Sequence, residues 1–189
     1  MRGWMVLMSA GLLLMVSNAW AEEVKGVHIP ESLTAGDVQL QLNGAGVRNK
    51  FFLNLYVGAL YLEVPSDKGR EVVSADEPMA IRLHVLSKLI TSKRMEEASR
   101  EGFVQATNGD IAPIQQRIEE FISLFKHEEI VKGDVFDFVY RPEKGIQAYK
   151  NEELMSTVKG LDFKKALFAI WLGHDPIQES LKAKMLGAG

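Results

Sequence analysis

Between Phe51 and Val64 the chain reads Phe-Phe-Leu-Asn-Leu-Tyr-Val-Gly-Ala-Leu-Tyr-Leu-Glu-Val, then stops at Pro65. Apolar and β-favouring side chains at nearly every position, rather than at every second one, mark strand buried on both faces. One or two central strands are therefore expected here. Gly58, inside the run, fits a bulge or a point of close approach.

The flanking segments read as half-buried strands. Val27 to Ile29 is a short one ending at Pro30. Val38, Leu40 and Leu42 alternate with Gln39, Gln41 and Asn43, after which Gly44-Ala45-Gly46 reads as a break. From Ala80 to Leu86, Ile81, Leu83 and Val85 face one way, Arg82 and His84 the other. Asp134 to Arg141 puts Phe136, Phe138 and Tyr140 on one face, and Ile146 to Lys150 follows across a Pro142–Gly145 loop.

Helical spacing appears elsewhere. Thr91 or Ser92 is expected to cap a helix with Met95, Ala98, Gly102, Phe103 and Ala106 on one face, closed by Asn108-Gly109. Asp110 is expected to cap the next, whose stripe is Ile111, Ile114, Ile118, Phe121, Ile122 and Phe125. Asp162 should cap Phe163 to Leu172, a helix with almost no polar face. Asp175-Pro176 should start a last helix running to Gly187. Strands, two helices, a hairpin and two more helices imply an α+β fold, an antiparallel sheet with helices layered on one face. A chain of 189 residues without internal repeat or linker fits one core.

The N-terminus reads as an address. Arg2 precedes an apolar run from Trp4 to Val16, and Ala19-Trp20-Ala21 gives a small-x-small cleavage pattern before Glu22-Glu23. A signal peptide over 1–21, cleaved after Ala21, is expected, with the domain over 22–189 and a periplasmic or secreted location. An uncleaved anchor is the alternative, although the run falls short of the roughly 20 residues a span needs. No stable membrane anchor is expected after cleavage, and with no Cys in the chain no lipoprotein anchor forms. Losing residues 1–21 removes only Arg2, leaving 21 basic against 25 acidic residues, a net charge of −4.

Several chemistries are disfavoured. The acidic balance and pI near 5.9 argue against nucleic-acid partners. With no Cys, and with His28, His84, His127 and His174 scattered, no metal site or other cofactor is expected. Gly44-Ala45-Gly46 lacks the remaining phosphate-loop residues, and no Gly-x-Ser-x-Gly nucleophile elbow occurs. What remains is Arg48, beside the glycines, with Tyr56 and Tyr61 on the buried run. An inward Arg48 needs an anion, either an internal carboxylate such as Glu63 or a ligand carboxylate or phenolate. An outward one is a solvated strand-end Arg. Tyr56 and Tyr61 fit either core positions with bonded hydroxyls or a ligand site.

Gly44-Ala45-Gly46-Val47-Arg48 followed by Phe51 to Glu63 resembles the N-terminal signature of the chalcone isomerase-like superfamily. Phe168-Ala169-Ile170-Trp171-Leu172-Gly173, with Ser180-Leu181-Lys182 and Leu186-Gly187 beyond, resembles its bacterial, exported branch, and Lys132-Gly133-Asp134 fits as well. The resemblance implies an open-faced β-sandwich, a large antiparallel sheet covered by helices, with a ligand cleft between. In the plant enzymes of that superfamily an Arg after the Gly-rich turn polarises the substrate, and Arg48 matches it. Their strand Thr corresponds to Tyr56 here, the flavonoid-flanking Tyr and Asn have no counterpart around Thr91, Ser92 and Ala98, and a polar helix residue is replaced by Ile170. The noncatalytic plastid members hold a fatty-acid carboxylate with an Arg and a Tyr, a pair that Arg48 and Tyr56 resemble.

The expected function is therefore binding of a small amphipathic acid, such as a fatty acid, by Arg48, Tyr56 and Tyr61. One alternative is an intramolecular lyase acting on a chalcone or another enone, with Arg48 and Tyr56 as catalytic residues. Another is a protein-interaction module of the envelope. Sequence assigns no oligomeric state.

Overall fold

A computed structural model describes residues 22–126 and 128–187, so the expected signal segment and His127 lie outside the described residues. Seven strands form one antiparallel sheet in which each pairs with its neighbours in sequence. They are β3 (Ser32–Ala35), β4 (Val38–Lys50), β5 (Leu53–Leu62), β6 (Met79–Val85), β7 (Val135–Arg141), β8 (Gly145–Lys150) and β9 (Glu153–Val158). A separate hairpin, β1 (Glu22–Val24) and β2 (Val27–Ile29), precedes them. Helices interrupt the meander: α1 (Gly69–Ser74) after β5, α2 (Ser92–Ala106) and α3 (Gln115–Ser123) after β6, and α4 (Leu161–Leu172) and α5 (Glu179–Met185) after β9.

The period-two pattern sorts side chains onto two faces. Tyr56, Leu60, Ile81, Leu83, Val85, Phe136, Phe138 and Tyr140 point to the helical side and join Phe103, Phe121, Phe163 and Trp171 in the main core. The opposite face buries Val57, Ala59, Tyr61, Ala80 and Val139 against the first hairpin and β3. The fold is α+β, a large antiparallel sheet with helices over one face, as the resemblance implies. Its aromatic centre is tightly interlocked: Phe103 meets Phe121 edge-on with centroids 6.0 Å apart, and Phe121 meets Phe125 at 5.8 Å.

Several local expectations need correction. Gly44-Ala45-Gly46 lies inside β4, with a bulge between Leu42 and Gly44. The run from Phe51 begins with a turn, so its strand starts at Leu53. Thr91 caps α2, accepting from Arg94 N at 3.3 Å, but Asp110 caps nothing, because Ala112–Ile114 is a 3-10 turn entered from Ile111. Asp162 lies within the first turn of α4, where it binds Arg117, and Gly160 occupies the cap position. The last helix is capped at Gln178, not Asp175, and its helical residues end at Met185. The sequence pattern announces neither helix α1 nor strands β1, β3 and β9.

The apolar helix α4 carries a lysine that is fully buried. Lys164 Nζ donates to Val72 O at 2.7 Å, Val73 O at 3.0 Å and Ala75 O at 2.8 Å. Three donors meet three carbonyls at the C-terminus of α1, where a cation is favoured. Burial nevertheless pushes the ammonium down to about 8. Lys164→Met is expected to cost about 2 kcal/mol, because the orphaned carbonyls outweigh the relief of desolvation. Below about pH 8 the folded and unfolded chains both hold the proton, and from there to about 10.4 only the unfolded chain does. Wild-type stability therefore rises with pH across that window. Denaturant titrations at pH 7.5 and 9, below the range where the buried tyrosines contribute, should show the rise in the wild type and a flat response in the variant; a flat wild type would contradict it.

Candidate functional site

Arg48 and Tyr56 are direct cross-strand partners in the β4–β5 register, which puts both on the helical face. Tyr56 is buried, and its hydroxyl accepts a hydrogen bond from Trp171 Nε1 at 3.0 Å. The tryptophan arrives on α4, whose buried face is pressed against the sheet. With the Trp171 N–H occupying a lone pair, the phenol proton of Tyr56 has no acceptor among the described residues. Burial raises the phenol's pKa, opposed by the Trp171 bond and the nearby Arg48 charge, so it stays a neutral donor at neutral pH.

Arg48 is half-buried on the same face. Its Nη1 donates to Asn49 O at 2.6 Å and to Gln178 Oε1 at 3.0 Å. Gln178 also accepts from Asn49 N at 2.9 Å and donates to Val47 O at 3.1 Å, so the residue that precedes α5 steadies the guanidinium. No carboxylate among the described residues pairs with Arg48. Glu63, the candidate partner, is exposed just past the opposite end of β5.

A narrow apolar cavity of about 50 Å³ lies against Tyr56, between the sheet and α2, α3 and α4. Leu83, Phe138, Ile170 and Trp171 form its floor and sides, and Met95, Ala98 and Ser99 on α2 its outer wall. Arg48 does not line it. Tyr61 does not belong to this site: it faces the other side of the sheet and donates from its hydroxyl to Pro30 O at 2.9 Å. Tyr56 and Tyr61 are an odd number of residues apart on one strand, and that parity is the signal that separates them. Trp171 and Gln178 were not singled out as site residues; tertiary packing brings them in. A larger groove of about 710 Å³ opens beyond the far end of β5, but Glu63, Asp67, Glu71 and Glu77 line it, a poor setting for an anion.

With the fold and the Arg48–Tyr56 pair in place, comparison with known proteins is decisive on one point. A family model described as chalcone isomerase-like matches residues 21–187. The chain belongs to the chalcone isomerase-like family. Among solved structures, this family member is similar to a fatty-acid binding protein of Arabidopsis thaliana, with a TM-score of 0.70 and 18% identity over 89% of this chain and 96% of that one. At that identity the likeness concerns the fold. No curated protein matches the chain. In this chalcone isomerase-like protein Ile170 lines the cavity and packs on Gly102, where an added Cβ would lie 3.1 Å from it, so that wall is apolar.

Proposed function

We propose that this chalcone isomerase-like protein is exported and binds a small amphipathic acid, a fatty acid in the simplest case. The carboxylate is held by Arg48 and Tyr56, and the tail enters the seam between sheet and helices. The observation that carries this reading is a buried phenol with an unspent proton beside a guanidinium that has no acid partner. A phenol against an apolar cavity, with its cross-strand guanidinium just outside that cavity, matches an anion with a greasy tail. The fatty-acid binding protein that shares the fold supports the same reading.

The cavity of about 50 Å³ is well below the roughly 300–1,000 Å³ of ordinary ligand pockets. An acyl chain therefore enters by displacing α2, whose small residues Ala98 and Ser99 close the outer wall. No observation favours an intramolecular lyase over a binding site, because the cavity lining offers no group poised as a base near neutrality. Export is supported by the charged, apolar and small-residue pattern of residues 1–21, and is checked by sequencing the N-terminus of periplasmic protein, expected to begin at Glu22.

Calorimetry with saturated acids from hexanoate to palmitate tests the ligand. Arg48→Ala is expected to weaken binding about tenfold to a hundredfold, the worth of a charge-assisted bond, and Tyr56→Phe about fivefold. Equal affinity in Arg48→Ala, or no heat with any chain length, would remove the proposal.

A further inference from the structure

The sheet has one end where exposed apolar side chains collect. The β4–β5 turn at Phe51–Phe52, the β6–α2 loop, the segment before β7 and the β8–β9 turn all lie there, joined through pairs such as Lys50↔Leu53, His84↔Val135 and Lys150↔Glu153. Of the eight exposed large apolar residues among those described, six are at this end. Phe51 and Phe52 are the extreme cases, both almost wholly exposed.

The turn that presents them is also unfavourable locally. Phe51 and Phe52 both adopt positive φ, 48° and 65°, as a two-residue turn between antiparallel strands requires. The corresponding turns at Lys25-Gly26, Gly36-Asp37 and Asn151-Glu152 each contain a residue suited to that conformation. The Phe51-Phe52 turn contains neither Gly nor Asn. Bulky aromatic residues in this region are outliers, and such strain concentrates at functional positions.

Around the β4–β5 turn and the β6–α2 loop the charge has one sign. From Val47 to Tyr61, and again from Pro78 to Met95, the sequence contains no Asp or Glu. Lys50 adjoins Phe51, Lys88 adjoins the exposed Leu89, and Arg94 Nη1 donates to Leu89 O at 3.0 Å, bracing that loop. Aromatic wedges flanked by lysines are what an anionic lipid surface binds: the rings enter the interface while the cations meet headgroups. The segment before β7 carries the exposed Glu128 and Glu129, and the β8–β9 turn Glu152 and Glu153, so the attachment is tilted toward β4–β6.

We infer that the β4–β5 turn, with Phe51 and Phe52 as a wedge and Lys50 and Lys88 as headgroup contacts, docks this protein on an anionic membrane surface. The inference extends the ligand reading, because α2 and the outer wall of the cavity follow directly from the β6–α2 loop. Docking would place that wall beside the reservoir of an amphipathic acid. It stands on the turn itself, however, and is measured without ligand, so its failure leaves the Arg48 and Tyr56 result untouched.

The chain has no Cys, which allows a single reporter. In the full chain, an environment-sensitive fluorophore on Asn49→Cys reports on the turn, and one on Val64→Cys reports on the far end of the sheet. With 3:1 phosphatidylcholine–phosphatidylglycerol vesicles the first label should shift to the blue and the second should not. Phe51→Asn with Phe52→Gly, which suits the turn and preserves the fold, should raise the lipid concentration for half-maximal shift at least tenfold. Lys50→Gln with Lys88→Gln should raise it about fivefold on these vesicles and leave pure phosphatidylcholine unaffected. No shift at position 49, equal shifts at both positions, or indifference to the Asn-Gly exchange would overturn the inference. A shift that appears with rising protein concentration in the absence of lipid would overturn it too, assigning the turn to a second copy of the chain.

Discussion

Asp137→Ala is expected to destabilise the fold by about 3 kcal/mol, although residue 137 lies far from the Arg48 site in sequence. Arg82 and Asp137 are direct cross-strand partners on the face opposite the helices. The guanidinium donates through Nε to Oδ1 at 2.7 Å and through Nη2 to Oδ2 at 2.8 Å, a bidentate pair with little solvent on either side chain. Burial lowers the pKa of Arg82, but the Asp137 bonds and charge outweigh it and hold the guanidinium above its usual value. Removing the carboxylate strands a cation that cannot neutralise itself, the situation that makes broken buried pairs so costly.

The same physics makes the double replacement Arg82→Leu with Asp137→Leu much milder, because both desolvation costs vanish together. Urea denaturation of the three chains decides it. A loss under 1 kcal/mol in Asp137→Ala would mean that water reaches Arg82 freely. A double variant as unstable as the single one would mean that lost packing, rather than the stranded charge, is responsible.

What the sequence reveals of this fold follows from which forces act locally. Burial imposes period two on any strand with one wet face, so the Ile81, Leu83, Val85 and Phe136, Phe138, Tyr140 faces were legible and are found in the main core. Strand β9 was not, because its burial is confined largely to Val158 and its residues Glu153 and Leu154 are exposed. Phe51-Phe52 reads as strand since nothing in its composition announces a turn; the pairing of Lys50 with Leu53 imposes one. Lys164 escaped notice because a single cation in an apolar helix normally reaches solvent, whereas here the end of α1 supplies three acceptors.

The site divides the same way. Arg48 and Tyr56 stand out as a pair through their resemblance to the Arg and Tyr of the plastid members, since the residues alone leave a solvated strand-end Arg and a core Tyr equally open. Trp171, which occupies the phenol's lone pair, lies 115 residues away in sequence, and Gln178, which steadies Arg48, lies 130 away. Only the tertiary fold brings them together. Three expected caps, Asp110, Asp162 and Asp175, failed for a related reason: the helices begin where packing directs them.

Gly44→Ala is expected to cost about 3 kcal/mol, the upper end of the range for overpacking, and to weaken the Arg48 site with it. A Cβ at residue 44 would lie 2.2 Å from Lys184 O and 3.0 Å from Met185 O and Gly187 N. All three are backbone atoms at the end of α5, so no side-chain rotation relieves the clash, and the helix must lift from β4. Lifting it also disturbs the Asn43 side chain, which donates to Met185 O at 2.8 Å, and draws Leu181 and Met185 out of the core. Gln178 moves with its helix, releasing Nη1 of Arg48 from Oε1. A variant that unfolds two degrees lower and binds acids as tightly as wild type would show that α5 is not the buttress of the guanidinium. Gly58→Ala provides the control, since the nearest neighbours of a Cβ there are Leu181 Cδ1 at 3.5 Å, Met185 Sδ at 3.6 Å and Tyr56 Cε2 at 3.7 Å, ordinary contact distances. It should leave both stability and affinity near those of the wild type, so that a large loss in Gly44→Ala reports the displaced helix rather than the added methyl group on a sheet surface.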